Sequence, residues 1–462
     1  MAGLALRLFF IAYFPFHSGD AKFYEELARN WLEHGVYGLF VAGRLVPSDM
    51  RVPGYPALLA AVYAVFGQSE KAVLVVQAII DLITCILTAL LAARLAPATK
   101  RKIVATVALW MAALCPFLAN YTATVLTETL ATFLTTLALL AFVYIFADPS
   151  LEPPLDPRDK EAVFAQAGWW LLGGFLVGVG TLVRPETPLI LAAAGIVLSI
   201  RWRHTKDWSK LTLAGLSMAL GLILPVMPWA IRNARTLGRI EFLAPRYAQT
   251  QGDFMPRGFY EWTRTWMVHF GDAYLVPWKL GKAPIAIETL PDSAFDSTAE
   301  RARVETLLSR YNTNLQMTPL LDGEFARLAN ERTVRRPLRT YVFIPILRAW
   351  FIWFTPRVEL LPYSGRLWPP GREFRDNRTD FSVTAGFGLL NFIYAGLAFV
   401  GAWRCRRHPA LAFLVVFILV RTAFLTQLQT VEPRYAIVCF PAILALGACA
   451  WARPDADTST AV

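Results

Sequence analysis

Charge is scarce in this sequence: only 17% of its 462 residues are Asp, Glu, Lys or Arg, whereas 56% are hydrophobic, and the mean hydropathy is +0.43. A soluble domain carries about a quarter charged residues, so this composition excludes a water-soluble globular protein and leaves a chain threaded repeatedly through lipid. Cysteine is sparse as well. Cys85, Cys115, Cys405, Cys439 and Cys449 lie in or beside apolar runs without the spacing of a metal knuckle or a disulfide framework, which makes them packing residues. The polar loop after the first apolar run lacks an acidic pair of the Asp-x-Asp kind, and His17 alone does not supply the oxygen ligands a hard cation wants, so neither a metal nor another cofactor is expected. No inverted or parallel repeat relates the two halves, which counts against the common transporter folds. Acidic residues fall short of basic ones, giving a net charge of +11 and a pI near 9.5. The arginines are scattered among apolar runs rather than gathered on a soluble face. Membrane lipids are therefore the expected partner of this charge, and nucleic acid is not.

What is present in abundance is apolar sequence of membrane-crossing length. Runs recur at 71–95, 103–119, 125–147, 166–183, 187–200, 211–230, 383–403, 409–428 and 435–452, near the ~20 residues that span a hydrocarbon core. The run 2–16 is shorter and carries Arg7, and it reads as a tilted crossing; no small-residue cleavage pattern follows it, so a cleaved signal peptide is not expected. The fold class is thus an all-α polytopic membrane protein with about ten transmembrane helices and extracytoplasmic juxtamembrane helices. Lys and Arg cluster in three short loops: Arg94, Lys100, Arg101 and Lys102; Arg201, Arg203, His204, Lys206 and Lys210; Arg404, Arg406 and Arg407. The positive-inside rule makes these cytoplasmic and puts 17–70, 119–124, 184–187, about 231–382 and 429–434 on the other face of a cell inner (plasma) membrane. The parity requires 341–355 to be an interfacial or re-entrant helix, in keeping with its Pro345 and Arg348.

Three regions follow: an N-terminal transmembrane module, 1–230, with a first outer loop at 17–70; an extracytoplasmic region, 231–382, with interfacial helices; and C-terminal transmembrane helices, 383–462. The proline-rich acidic segment 148–160 reads as a flexible connection. Tyr260, Trp262, Trp266, Tyr274 and Trp278 match residues that settle at the headgroup level, and 296–336 reads as a surface helix over the membrane. In the first loop, Tyr24, Leu27, Ala28 and Trp31 recur at helical spacing, so 20–31 is expected to be an interfacial helix; Pro53-Gly54-Tyr55-Pro56 is expected to stop the chain sharply before a juxtamembrane helix at 57–66. Asp81 lies in mid-span with Gln77 one turn before it. No second mid-membrane charge suggests itself as a relay partner, so an interhelical hydrogen bond is expected there.

The remaining polar residues gather at one face. Asp20 follows the first apolar run; Arg51-Val52-Pro53-Gly54-Tyr55-Pro56 closes the loop; Leu126-Thr127-Glu128, Arg184-Pro185-Glu186, Pro228-Trp229-Ala230-Ile231-Arg232-Asn233 and Glu432-Pro433-Arg434-Tyr435 follow in order. With this ordered set the chain resembles the bacterial type C glycosyltransferases of the dolichyl-phosphate-mannose protein mannosyltransferase-like group, family 39. The resemblance implies the type C glycosyltransferase fold and transfer of a sugar, with inversion, from a polyprenyl-phosphate carrier to a glycan, lipid or protein acceptor outside the cytoplasm. It maps the family's first-loop acid to Asp20, its second outer acid to Glu128, and its phosphate-side arginine to Arg434. Some relatives carry a second acid directly after the first, where this chain has Ala21 and Lys22.

The chemistry asks for these residue types. A sugar hydroxyl becomes a nucleophile when a base lies within hydrogen-bond reach; Asp20 is the candidate base, and Glu128 stands with it as the second catalytic candidate. A departing lipid phosphate is stabilised by arginines that grip its oxygens in a fork; Arg184 and Arg434 are candidates because outer loops are otherwise poor in arginine, and Arg51, Tyr55, Arg232 and Tyr435 complete the candidate phosphate-binding set. The bland readings are a helix-capping acid for Asp20 and interfacial anchors for the arginines. A polyprenyl-linked lipid transporter or flippase is the competing function, and it would line a path through the bilayer with its ionisable groups.

Overall fold

A computed structural model describes residues 1–148, 160–203, 208–245 and 254–452. In chain order the helices are α1 (Ala2–Tyr13), α2 (Gly19–His34), a hairpin of β1 (Gly38–Val41) and β2 (Arg44–Pro47), α3 (Gly54–Phe66), α4 (Glu70–Leu95), α5 (Arg101–Ala113), α6 (Pro116–Tyr121), α7 (Glu128–Ala147), α8 (Lys160–Thr181), α9 (Leu189–Trp202) and α10 (Trp208–Leu237). Then come α11 (Arg257–Arg264), α12 (Gly271–Leu275), α13 (Thr298–Asn314), α14 (Pro319–Arg335), α15 (Ile344–Trp353), α16 (Pro370–Asp376), α17 (Arg378–Arg404), α18 (Leu411–Leu425) and α19 (Phe440–Ala448). The chain divides into two compact units: Met1–Ala248 with Pro356–Val420 and Ile437–Val462, and Gln249–Thr355 with Arg421–Ala436.

The chain is an all-α polytopic membrane protein with one small antiparallel hairpin. Among the described residues, six helical stretches are long and apolar enough to cross a membrane: Glu70–Leu95, Glu128–Ala147, Val163–Thr181, Leu211–Leu237, Arg378–Arg404 and Pro433–Trp451. Shorter apolar helices are Ala2–Tyr13, Gly54–Phe66, Leu189–Trp202 and Leu411–Leu425. The segment 148–160 lies almost wholly outside the described residues, as do His204 and Lys206 of the second basic loop.

Within the first unit, helices α8 and α10 pack backbone to backbone. A Cβ on Gly174 would lie 2.2 Å from the Met218 carbonyl oxygen, and one on Gly221 2.2 Å from that of Leu171. Small residues at such a seam give the dispersion contact that drives helix association in lipid. The run 103–119, read from sequence as one span, is broken between α5 and α6. Pro116 has no N–H to offer the carbonyl of Ala112, and its ring clashes there. Arg7 takes over: its guanidinium donates to the carbonyls of Ala113 (2.6 Å) and Ala112 (3.4 Å), as well as to Gly3 (2.8 Å).

The same arginine corrects the reading of Asp81. A mid-membrane charge does face that carboxylate: Arg7 Nε donates to Asp81 Oδ2 at 2.8 Å, Arg7 Nη2 lies 3.2 Å from Cys85 Sγ, and both charged side chains are buried. A buried pair contributes little relative to an apolar isostere, but stranding one partner costs about 3–5 kcal/mol. Arg7→Met and Asp81→Leu are each expected to lower the thermal midpoint of the detergent-solubilised protein by several degrees. The double variant should recover part of the loss from Asp81→Leu, because no charge is left stranded; a double-variant loss equal to the sum of the two single losses would show that the residues do not act as a pair.

The second unit differs from the surface-lying assembly expected from sequence. Trp262 and Trp266 are buried in a core with Phe259, Leu307, Leu308 and Phe325, while Tyr274 and Trp278 of the same aromatic set are exposed. Residues 296–336 form two helices rather than one: Ser297 caps α13, Leu315 turns left-handed at φ 54°, and Thr318 caps α14 with Pro319 in its first turn. Their apolar positions Val304, Leu307 and Leu308 face this protein core. Beyond it a five-residue π-helical turn, Arg339–Phe343, leads into the ten-residue α15, short of a crossing.

Arg332 is buried and pairs with Glu300, and Arg339 pairs with Asp296. Burial works to raise the Asp296 pKa, but the Arg339 hydrogen bond and the charges of Arg332 and Arg339 outweigh it and hold the carboxyl below its usual value. A depressed carboxyl contributes stability above its unfolded pKa of about 3.9, and that contribution is lost as pH falls through the folded value. Acid unfolding followed by tryptophan fluorescence should therefore begin at higher pH in the wild type than its neutral-pH stability suggests. Asp296→Asn should be less stable at pH 7 and lose less on acidification.

Candidate active site

Four charged residues from three parts of the first unit converge at one end of its helices. Asp20 sits in the first turn of α2, which Ser18 caps by accepting the Ala21 N–H at 3.2 Å. Arg51 reaches it from the far end of the loop, donating from Nη2 to Asp20 Oδ1 at 3.0 Å. Glu128 opens α7 and receives Arg184 Nη2 at 2.5 Å, while Arg184 Nε donates to Thr127 Oγ1 at 3.1 Å and Nη1 lies 3.5 Å from Glu186. Tyr24 joins the two pairs. Burial raises its hydroxyl pKa above the ordinary phenol value, and the charges felt there are those of Arg51, Asp20, Arg184 and Glu128. Burial also works against the Arg51 charge, yet Tyr24 and Asp20 more than restore it and leave its pKa raised.

The Arg-Val-Pro-Gly-Tyr-Pro motif is the joint of this assembly. Instead of stopping the chain before a helix, it starts one: Pro53 is the cap, and Gly54, Tyr55 and Pro56 form the first turn of α3, where proline's missing N–H costs nothing. The Gly54 N–H donates to the Leu182 carbonyl at 2.6 Å, and a Cβ there would lie 2.6 Å from the same oxygen. Leu182 is two residues before Arg184, so this contact registers Arg51 against Arg184. Tyr55 packs edge-on against Tyr24 and donates to Gln77 Oε1 at 2.8 Å; Gln77 Nε2 in turn donates to the carbonyls of Thr124 (2.8 Å) and Thr122 (3.4 Å). The Phe16 N–H donates to the Ala123 carbonyl at 3.0 Å. These bonds fix the irregular backbone that delivers Glu128.

Arg232 is set against the loop itself, donating to the carbonyls of Tyr37 (2.6 Å) and Ser48 (2.9 Å), with its guanidinium over the rings of Tyr37 and Trp229. Arg434 and Tyr435 belong to the second unit and gather around Glu432: Arg434 Nε lies 2.5 Å from Glu432 Oε2, and the Tyr435 hydroxyl donates to Oε1 at 2.9 Å. Sequence reasoning did not single out Tyr24, nor Tyr121, whose hydroxyl donates to Glu359 at 2.8 Å and which feels the charge of Glu128. The helical spacing of Tyr24 was visible; nothing in the sequence links Glu359 to a residue so far away. Among the described residues no three His, Cys, Asp or Glu side chains are grouped to hold a metal ion.

No family model matches the chain, and no curated protein matches it. Among solved structures, the chain is similar to the archaeal oligosaccharyltransferase AglB from Archaeoglobus fulgidus in complex with an inhibitory peptide and a dolichol-phosphate, at 12% identity and a TM-score of 0.48, covering 96% of this chain and 50% of that one. It is also similar to ArnT from Cupriavidus metallidurans in the apo state (16% identity, TM-score 0.39, 94% and 76% covered) and bound to undecaprenyl phosphate (15%, 0.37, 94% and 76%). The chain spans 50% of the length of that AglB structure.

The two carboxylates differ in access. The Asp20 side chain is 31% exposed, whereas Glu128 is 1% exposed. The Asp20 carboxylate is thus partly open to solvent, whereas that of Glu128 is sealed against Arg184. The Gly54 contact is open to a direct check. Gly54→Ala should cost about 1–3 kcal/mol by overpacking the Leu182 backbone, whereas Gly195→Ala, on α9 with no neighbour within 4 Å, should be neutral or stabilising. Thermal unfolding of the two variants side by side measures the difference.

Proposed function

We propose that this protein is an integral membrane glycosyltransferase that moves a sugar from a polyprenyl-phosphate donor to an acceptor on the extracytoplasmic side of the plasma membrane, with inversion. The observation that carries the reading is the meeting of an accessible carboxylate, Asp20, with two arginines, Arg51 and Arg184, beside a buried acid, Glu128. On this reading Asp20 takes the proton of an acceptor hydroxyl as its oxygen attacks the anomeric carbon. The bond from that carbon to the phosphate oxygen breaks on the opposite face, and the polyprenyl phosphate leaves with the electron pair.

Arg51 is shared between Asp20 and the donor phosphate. While it donates to Asp20 it holds the carboxylate in place, and when it swings to the phosphate the carboxylate is released to act as base. Arg184, held by Glu128, forms the second arm of the fork. Tyr55 and Arg232 position the loop. Arg434 and Tyr435 are assigned to the donor phosphate on the sequence reading, Arg434 by the resemblance and by the scarcity of arginine in outer loops; membership of family 39 and a hexosyl or pentosyl donor rest on the resemblance, and the division at 230 and 382 on the run of apolar spans. The transporter reading fits less well. The charged pair of Arg7 and Asp81 is buried, its arginine spent on the carboxylate and on backbone carbonyls.

Transfer of radiolabelled sugar from synthetic polyprenyl-phosphate donors by the purified protein is the test. Asp20→Asn should lower turnover by about 10²–10⁴-fold with donor affinity nearly unchanged, as expected for loss of a general base. Arg184→Gln should weaken donor binding as well as turnover. Full turnover in Asp20→Asn would remove the base assignment; saturable donor binding without transfer to any acceptor would favour the flippase.

A further inference from the structure

The second unit contains a cavity of about 310 Å³ whose lining includes Glu261, Arg264, Asn330, Thr340, Arg348 and Gln427. Its size falls at the lower end of small-molecule sites, about 300–1,000 Å³. Arg348, on α15, is buried, and its partners are neutral: Nε donates to the Met267 carbonyl (2.8 Å), and Nη1 to those of Thr426 and Leu428 (3.0 Å each). Its Nη2 has no hydrogen-bond partner. Thr340 Oγ1, in the π-helical turn that precedes α15, is also buried without a partner and lines the same cavity. Arg264 contributes a second guanidinium, held by Gln427 Oε1 at 2.7 Å.

Among the described residues no carboxylate lies within ion-pair distance of Arg264 or Arg348, unlike Arg332 and Arg339 in the same unit. Burial lowers the Arg348 pKa to about 10, and the like charge of Arg264 pushes the same way while Asp272 opposes it. A guanidinium taken out of water without a counter-charge is costly, and that cost is offset when an anion arrives. Glu261, on the exposed side of the lining, is the only acid among the lining residues, so the two guanidiniums outnumber it. The available donors are N–H groups in fork geometry and a hydroxyl. A tetrahedral oxyanion can accept from all of them at once, as a neutral sugar hydroxyl cannot. π-Helical turns recur at functional sites, and this one places the unpartnered hydroxyl of Thr340 in the lining.

We propose that this cavity binds a phosphate group, carried on a lipid headgroup or on a small soluble ester. The inference does not rest on the glycosyltransferase reading, and its test reads binding rather than transfer. In a maltoside detergent, which carries no phosphate, equilibrium dialysis of the full chain with radiolabelled inorganic phosphate should show a saturable site. Arg264→Gln should weaken that site about tenfold, the loss of one charge-assisted contact. Thr340→Val, which removes only a hydroxyl, should weaken it less, and it keeps the test informative if Arg264→Gln fails to fold. Arg51→Gln, in the first unit, should leave the site intact. Displacement by detergent-solubilised phosphatidylglycerol but not by glycerol 3-phosphate identifies a lipid headgroup, and displacement by glycerol 3-phosphate identifies a soluble ester. Absence of saturable phosphate binding would overturn the proposal. So would binding unchanged in both Arg264→Gln and Thr340→Val, or loss confined to Arg51→Gln.

Discussion

The candidate site depends on one backbone hydrogen bond, from the Gly54 N–H to the Leu182 carbonyl. It joins the end of the first loop to the turn after α8. Arg51 lies three residues before one partner and Arg184 two residues after the other, so this contact sets the backbones that carry the two arginines side by side, and Asp20 and Glu128 hold their guanidiniums. Only glycine permits the approach, since any Cβ would enter the carbonyl's van der Waals envelope. The prolines on either side serve the same end: Pro53 and Pro56 pre-set the backbone of the first turn of α3 where no intrahelical donor is needed.

Given that spacing, the electrostatics divide the labour. A carboxylate sealed at the mouth of a helix bundle is shut off from solvent, but it can hold a neighbouring arginine in one orientation. Glu128 does this for Arg184, at the N-terminus of α7 where the helix dipole also favours its negative charge. Asp20 also lies in the first turn of a helix, but its pair with Arg51 is partly solvated and therefore weak.

Six of the about ten expected apolar spans were legible in the sequence because lipid imposes a length and a composition on a crossing, whereas 2–16, 187–200 and 409–428 form shorter helices and 103–119 is broken; α2 was legible because its apolar stripe has helical period. The hairpin Gly38–Pro47 was not, since eight strand residues between helices carry too little alternation to register. Asp20, Arg51, Glu128 and Arg184 stood out as polar residues at one face, but sequence gives no sign that they would pair as Asp20 with Arg51 and Glu128 with Arg184. The aromatic residues 260–278 misled for a physical reason. Tryptophan is amphipathic, and its enrichment marks a membrane interface and a protein core equally well; only the packing of α11 against α14 shows that Trp262 and Trp266 belong to a core. Arg7 misled in the same way, as a single charge that shortened an apolar run until Asp81 supplied its reason.

That buried pair bears on the site as well. Non-helical backbone near the bilayer core is tolerated only where its carbonyls are satisfied by protein. The break at Pro116 frees the carbonyl of Ala113, and Arg7 takes it up while also reaching that of Ala112, which accepts the Cys115 N–H; beyond α6 the carbonyls of Thr122 and Ala123 are taken up by Gln77 and the Phe16 N–H, and Gln77 also bonds that of Thr124. Arg7 and Phe16 lie on α1 and the residues just beyond it, Gln77 and Asp81 on α4. Two helices fastened to each other by an ion pair thus satisfy both interruptions of the segment between α5 and α7. The second interruption ends at Glu128. Loosening α1 from α4 would free carbonyls in an apolar surround and, through the same backbone, move the acid that holds Arg184.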